Sequence, residues 1–255
     1  MGVAKTVFSR YEMKFMLTKE QYENVVKGFG DKMELDEYNI GGNLYTIMNL
    51  YYDTEHSDLV STGLKREDQY RFKIRLRSYD PSYPTAFLEI KKKVNGLVNK
   101  RRTLMYIDDV NPFLIEHVDV PYSKIIKRQV VKEIDVIAKN MALMPKVVLC
   151  YDRQAFFGTQ SEDGDLRVTF DTNIRARRDE LDLRLGSHGQ RILDENYVLM
   201  EVKVDKSVPL WLARLMSENN VRKRRFSKYG TEFSQYVLKR YLQEEDENER
   251  VFSNV

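Results

Sequence analysis

Five segments of the sequence place charged side chains at every second position. The clearest is Arg71–Arg77, in which four cations alternate with three apolar residues. Because successive side chains of a β-strand point to opposite faces, the four cations share one face. The same alternation recurs in four further segments, whose charged positions are Arg10, Glu12, Lys14, Glu89, Lys91, Lys93, Arg167, Asp171, Glu201, Lys203 and Asp205. The pattern predicts five strands with one charged and one apolar face.

A charged strand face commonly lies toward solvent, and for any single strand this is the simpler interpretation. Four like charges on one side of a strand repel one another, however, and require a compensating anion. If the sheet closes into a barrel with these faces inward, the bore is positive and attracts a polyanion. The alternation therefore favours a closed antiparallel β-tunnel.

Arginine and lysine together indicate which anion the bore would hold. Arginine offers bidentate donors that fit phosphate oxygens, and lysine adds point charges. The carboxylates Glu12, Glu89 and Glu201 would repel a bare polyphosphate unless a divalent cation bridges them to it. Oxygen ligands suit Mg²⁺ or Mn²⁺, and the three histidines lack a zinc-type spacing. The alternative is that Glu89 and Glu201 only form salt bridges with neighbouring cations.

Helical periodicity appears in four places around these strands. It predicts helices over Thr18–Phe29, Tyr122–Met141 and Val208–Asn219, and a fourth after Ser227. Most of the remaining sequence alternates like strands, so the predicted class is α+β with β dominant. We expect a single domain over residues 1–242 and a flexible acidic tail over residues 243–255.

Bulk composition excludes several classes of protein. The net charge is only +3, which argues against a protein that coats nucleic acid, so no nucleic-acid partner is expected. No apolar run is long enough to span a bilayer. The single cysteine, Cys150, cannot form an internal disulfide, and it is expected to be a core residue in a cytoplasmic protein.

The sequence contains no glycine-rich phosphate loop of the P-loop or Rossmann type, so side chains must hold the phosphates. Lys228 and the Ser227 hydroxyl lie at the predicted start of a helix, where side chains and amide dipole together suit an anion. The basic run Arg222–Arg225 precedes them, and its role stays open between a partner, a membrane surface and solvent.

These segments together resemble the VTC-type polyphosphate polymerase domain, a branch of the CYTH-like triphosphate tunnel metalloenzymes. The resemblance extends from about Val7 to Leu242. Nine short pieces in family order carry it: Arg10–Phe15, Asn49–Thr54, Arg75–Arg77, Glu89–Lys91, Lys100, Tyr151–Arg153, Asp171–Arg175, Glu201–Lys203 and Ser227–Tyr229.

The resemblance implies an eight-stranded tunnel with flanking helices. It implies phosphate contacts from Lys14, Arg75, Arg77, Lys91, Lys100, Tyr151, Arg153, Arg175, Lys203, Ser227 and Lys228, of which Arg75, Arg77, Lys91 and Lys228 are the expected catalytic residues. Glu201 would hold the metal, with Glu89 and Glu12 as further candidate ligands. The implied cofactor is Mn²⁺ or Mg²⁺.

The implied reaction is transfer of the γ-phosphoryl group of ATP to a growing inorganic polyphosphate, with ADP leaving. The superfamily begins with a Glu-x-Glu-x-Lys strand, whereas Arg10 occupies the first position here, and this favours the polymerase branch. A metal-dependent tripolyphosphatase or nucleoside triphosphatase and a non-catalytic polyphosphate-binding module stay open. Eukaryotic members adjoin membrane-spanning domains that this sequence lacks, so attachment to the inner face of a membrane would need a separate partner.

Overall fold

The computed structural model describes residues 11–65, 70–94, 97–121, 127–160 and 166–253, so Arg10 lies outside the described residues. Ten strands are present: β1 (Tyr11–Thr18), β2 (Met33–Leu35), β3 (Tyr45–Asp53), β4 (Tyr70–Ser78), β5 (Thr85–Val94), β6 (Leu97–Tyr106), β7 (Met144–Gly158), β8 (Arg167–Arg177), β9 (Gln190–Arg191) and β10 (Tyr197–Val204). Six α-helices accompany them in the described ranges: α1 (Lys19–Gly28), α2 (Asp58–Leu64), α3 (Ile107–Ile115), α4 (Arg128–Asn140), α5 (Leu210–Glu218) and α6 (Lys228–Ser253).

All ten strands form one antiparallel sheet. Its main path is β1-β10-β8-β7-β3-β4-β5-β6, while β2 pairs with β7 and β9 pairs with β8. The two ends of this path approach each other, because Glu12 of the end strand β1 accepts a hydrogen bond of 3.1 Å from Lys91 of β5, the neighbour of the other end strand β6. The sheet is therefore curled. The α+β class and the large antiparallel sheet are confirmed, whereas closure by backbone hydrogen bonds and a count of eight strands are not.

The apolar strand faces point outward and are covered by helices. On one side Leu88 of β5 packs in a buried cluster with Ile134 of α4. On the other side Val202 of β10 packs in a second cluster with Leu212 of α5. Burial of this apolar surface under the helices turns the charged strand faces to the concave side, because alternate residues of each strand must lie opposite.

The predicted helices fall close to where the periodicity placed them. Thr18 caps α1 in a capping box with Gln21, α5 lies within the predicted range, and α6 begins at Lys228. Within the predicted helix Tyr122–Met141, residues 122–126 lie outside the described residues, and α4 occupies 128–140. The helices α2 and α3 were not predicted, since α2 has only seven residues and α3 contains Pro112, a residue that normally ends a helix.

The start of α6 covers one end of the concave face. Tyr229 of α6 stacks on Tyr51 of β3 with ring centroids 4.8 Å apart, and its hydroxyl donates to Asp53 at 2.9 Å. Tyr51 and Tyr229 belong to a third buried cluster, on the concave side, which also includes Leu149 and Leu199. The preceding basic segment lies along the free edge of β1, where Arg224 donates its amide to the Lys14 carbonyl at 2.8 Å. The helix start is thus held at a fixed place on the sheet.

None of the helices in the described part of the chain combines the length and apolar character needed to cross a membrane. The helix α6 continues to Ser253, beyond the predicted domain end at residue 242, and the division there stays a prediction.

Candidate phosphate-binding site

Charged side chains from seven strands and α6 meet on the concave face. We call them the charged network, which comprises Glu12, Lys14, Arg75, Arg77, Glu89, Lys91, Lys100, Arg153, Asp171, Glu201, Lys203 and Lys228. Eight of the nine cations expected from the sequence belong to it in the described residues. The structure therefore brings together side chains that are up to 216 positions apart in the sequence, from Glu12 to Lys228.

Glu201 of β10 is the centre of one half of the network. Its carboxylate lies 3.2 Å from Lys14, 3.4 Å from Lys203 and 3.5 Å from Lys228, with Arg153 at 3.9 Å. Burial alone would raise the pKa of Glu201, but these cations lower it well below its usual range. Glu201 is therefore ionised and surrounded by positive charge.

Glu89 of β5 is the centre of the other half. Its oxygens lie 2.8 Å from Arg75 and 2.5 Å from Lys100, and Arg77 is 3.8 Å away. Burial opposes ionisation here too, yet the three cations lower the pKa of Glu89. Arg77 is further fixed by donating to the amide oxygen of Asn49 at 2.9 Å.

Tyr151 of β7 joins the two halves. Its hydroxyl accepts from Arg77 at 3.3 Å. The Lys228 ammonium lies 4.4 Å from the centre of its ring and the Arg153 guanidinium 5.2 Å, both within reach of a cation–π attraction. The predicted residue Ser227 lies beside this group, and its hydroxyl accepts from Lys73 at 3.0 Å.

Sequence reasoning did not select Asp171, Lys73 or Tyr51 as site residues. Asp171 of β8 is completely buried and accepts two hydrogen bonds from Arg153, at 2.6 and 2.8 Å, and one from Lys228 at 2.5 Å. Lys73 and Asp171 do lie on the charged faces that the alternation defined, so the signal was present. Tyr51 could not be recognised from the alternation, because an uncharged tyrosine in a strand is expected to be a core residue.

The structure does not bring Arg175 into the network. Asn173 of β8 has a φ of 48°, and the pairing with β7 shifts register between Cys150 and Asp152. Beyond this irregularity the alternation is displaced by one residue. Ile174 therefore lies in the third buried cluster, on the concave side, and Arg175 lies on the opposite face, where it pairs with Asp152 at 3.4 Å. Arg175 also donates to Ser187, and its predicted phosphate contact is not supported by this placement.

Three groups of the concave face titrate near neutral pH. Burial, together with Lys14, Lys91 and Arg75, lowers the pKa of Lys73 to about 8. Burial and the neighbouring Arg153 likewise lower the pKa of Lys203 to about 8. Burial alone would raise the pKa of Tyr51, but Arg75 and Lys73 lower it to about 8. Neighbouring positive charge contributes to all three shifts, whereas burial favours only the two lysine shifts and opposes that of Tyr51.

The candidate metal ligands fit a divalent cation in part. Glu12 and Glu201 share Lys14, at 3.6 and 3.2 Å. Thr169, opposite Glu201 in the strand register, has a buried hydroxyl with no hydrogen-bond partner among the described residues. Mg²⁺ in phosphate chemistry is held by one or two carboxylates plus substrate oxygens, so this oxygen set fits.

Glu89 does not join that oxygen set, because its oxygens face Arg75 and Lys100 instead. In the described ranges no three acidic, histidine or cysteine residues lie close enough together to hold a metal ion by themselves. The substrate's own oxygens would therefore have to complete the coordination. The choice between Mg²⁺ and Mn²⁺ stays a prediction.

The sheet is antiparallel and curled, its helices lie outside, and its arginine and lysine side chains, which suit phosphate oxygens, lie inside. This arrangement is that of the triphosphate tunnel fold. The sequence pattern of the VTC domain matches residues 9–237. The chain belongs to the VTC domain family, and the resemblance found in the sequence is confirmed.

Comparison with curated proteins gives no match. Among solved structures, the chain is similar to a candidate adenylate cyclase of Bacillus halodurans, with a TM-score of 0.52, 10% identity, and coverage of 88% of this chain and 96% of that one. It also matches a candidate adenylate cyclase of Vibrio parahaemolyticus, with a TM-score of 0.44, 14% identity, and coverage of 88% and 97%. At 10% identity the Bacillus protein shows the fold alone.

Proposed function

We propose that the chain is a polyphosphate polymerase that transfers the γ-phosphoryl group of ATP to the end of an inorganic polyphosphate. The observation that carries this proposal is the convergence of eight predicted cations on one concave face. Their spread over six strands and α6 suits an extended chain of phosphates better than a single small anion. Curling of the sheet, with Lys91 bridging to Glu12, supports a tunnel that encloses this chain.

The residues act chiefly by positioning and by neutralising charge. An oxygen of the terminal polyphosphate attacks the γ-phosphorus of ATP, the bond from that phosphorus to the β,γ-bridging oxygen breaks, and ADP leaves with the electron pair. The side chains that would hold the non-bridging oxygens of the transferring group are Arg75, Arg77, Lys91 and Lys228. The attacking and leaving oxygens would then lie in line with the γ-phosphorus. A divalent cation held by Glu12 and Glu201 would supply further neutralisation of the triphosphate.

The low basicity of the carboxylates favours a polymerase over a hydrolase. Burial raises the pKa of Glu12, but Lys91, Lys203 and Lys14 lower it to about 2, and Glu201 and Asp171 are lowered as well. Carboxylates of such low pKa are poor general bases for activating water. A terminal phosphate is already ionised near neutral pH and needs no base.

A product assay tests the proposal. Purified protein is incubated with ATP and Mn²⁺, and separately with Mg²⁺, and its products are separated on a gel and by nucleotide chromatography. We expect long polyphosphate in amounts equal to the ADP formed. Free phosphate without polymer would replace the proposal by the hydrolase, and binding without any product would replace it by the non-catalytic module.

The cytoplasm is the compartment we infer. The single cysteine, Cys150, is a completely buried free thiol, and burial raises its pKa to about 11, so it is a protonated core residue as a reducing compartment would allow. ATP is the inferred donor and polyphosphate the acceptor. Attachment to the inner face of a membrane through a separate partner stays a prediction.

A further inference from the structure

Four aromatic rings form a continuous row at one end of the concave face. Ring centroids are 6.3 Å apart for Tyr38 and Tyr45, 6.3 Å for Tyr45 and Tyr79, and 6.4 Å for Tyr79 and Phe87. We call these four residues the aromatic rim. The row is not part of the outer apolar cores, because Tyr38 is 69% and Tyr79 42% exposed.

The aromatic rim directly continues the charged network. Tyr45 lies opposite Arg153 in the register of β3 and β7. Tyr79 follows Arg77 by two positions along the same chain direction, and Phe87 precedes Glu89 by two. Tyr45 is six residues from Tyr51, which the start of α6 covers, so the rim lies about 20 Å away, toward the other end of the concave face.

The loop that carries Tyr38 is fastened to the site itself. Asn39 is buried, and its side-chain amide donates to the Arg153 carbonyl at 2.9 Å and accepts from the Ala155 amide at 3.0 Å. Gly41 and Gly42 have φ values of 62° and 81°, which a residue with a side chain adopts at a cost. The rim is thus held in place before any ligand arrives.

Aromatic rings beside phosphate-binding cations match the chemistry of a nucleotide, whose base is a flat π-system joined to its phosphates through a ribose. Phe87 already carries the Arg102 guanidinium, 4.5 Å from its centroid, so one of its faces is occupied. Tyr79 and Tyr45 lie between Phe87 and the exposed Tyr38. These two rings are therefore the better placed to receive a base.

We propose that the aromatic rim stacks the nucleobase of the donor nucleotide while the charged network holds its phosphates, with Tyr79 and Tyr45 as the main contacts. This inference rests on the proposed function for the identity of the donor. Stacking uses the face of a base rather than its hydrogen-bonding edge. The rim is therefore expected to accept any purine nucleoside triphosphate and to discriminate mainly against ligands without a base.

Paired binding measurements on the full chain test this inference. The β,γ-imido analogue of ATP and inorganic tripolyphosphate are titrated into the parent protein and Tyr79→Ala, with Mg²⁺ present. We expect Tyr79→Ala to bind the ATP analogue about 5- to 100-fold more weakly, since base–aromatic stacking contributes on that scale. Tripolyphosphate, which has no base, is expected to bind equally to both proteins.

Two variants act as controls. Tyr79→Phe keeps the ring and is expected to bind both ligands like the parent. Tyr70→Ala removes a tyrosine of similar exposure, 48%, at the start of β4, whereas Tyr79 follows the end of that strand, and it is expected to change neither affinity. If Tyr79→Ala does not fold, Tyr79→Leu keeps the apolar volume without a stacking surface and replaces it.

The inference is overturned if Tyr79→Ala binds the ATP analogue as tightly as the parent, or if both ligands weaken equally. Equal weakening would mean that Tyr79 only supports the cations. Failure of the proposed function is seen separately, as absence of polymer in the product assay, and leaves the difference between the two ligands measurable.

Discussion

Replacing Asp171 by asparagine tests the electrostatic reading of the site most directly. The substitution keeps the side-chain shape but removes a completely buried negative charge that faces Arg153 and Lys228, themselves only 6% and 9% exposed. Breaking a buried ion pair by removing one partner costs about 3–5 kcal/mol. Glu201 still lies within 3.9 Å of both cations, which places the expected loss at about 3 kcal/mol, the lower end of that range.

For a chain of this length such a loss lowers the thermal midpoint by about 6–12 °C. We further expect tripolyphosphate to raise the midpoint of Asp171→Asn more than that of the parent, because its charge compensates the two cations left unpaired. The measurement is thermal unfolding with and without saturating tripolyphosphate.

Asp152→Asn is the matched control, since Asp152 is a partly buried carboxylate that pairs with Arg175 outside the network at 3.4 Å. Asp152 also accepts hydrogen bonds from Thr46 and Asn173, so the substitution is expected to cost about 1.5 kcal/mol, less than Asp171→Asn, and to leave the effect of tripolyphosphate unchanged. The reasoning is refuted if Asp171→Asn melts within about 2 °C of the parent, or if tripolyphosphate stabilises it no more than the parent.

Further predictions address turnover, the pH dependence of binding and the stability of the loop after β8, residues 178–189, whose carbonyls Arg177 binds. Glu201→Ala should abolish product formation while retaining tripolyphosphate binding, whereas Arg75→Ala should weaken that binding; equal activity of both variants and the parent would remove the proposed site. Because bound phosphate raises the lowered pKa of Lys73 and Lys203, binding should take up protons near pH 8, and affinity should fall as the pH rises above it. Calorimetry in buffers of different ionisation enthalpy measures that uptake, which Lys73→Arg should reduce; an unchanged uptake would contradict the assignment. Arg177 is buried and donates to the carbonyls of Glu180, Asp182, Gly186 and His188, so Arg177→Lys, with three donors at most, should cost about 2 kcal/mol in chemical denaturation without affecting tripolyphosphate affinity.

Alternation along the strands was enough to predict the side of the sheet on which most site residues lie. A period of two is a local property, so Arg75, Arg77 and Lys91 could be assigned to one face without any knowledge of strand order. The start of α6 at Lys228 was equally accessible, because a hydroxyl residue precedes a periodic apolar run.

Features that depend on an irregular backbone or on distant packing could not be predicted in the same way. Arg175 was assigned through the family resemblance, but the irregular residue Asn173 shifts the alternation by one and turns Arg175 away from the network. Tyr51 looked like an ordinary core residue, and only the arrival of Arg75 and Lys73 beside it makes its hydroxyl acidic. The end of the hydrogen-bonded path at β1 and β6 also depends on how far the whole sheet curls.

The pairing of β1 with β10 has a consequence for how this protein is made. Lys14 and Glu201 are opposite each other in the register although 187 positions separate them in the chain, and Lys228 comes later still. Contacts of such long sequence separation form late during folding, because a large loop must close first. On a ribosome, affinity for polyanions would therefore emerge only after nearly all of the domain had been synthesised, so that a half-made chain has no assembled site with which to capture cellular polyphosphate.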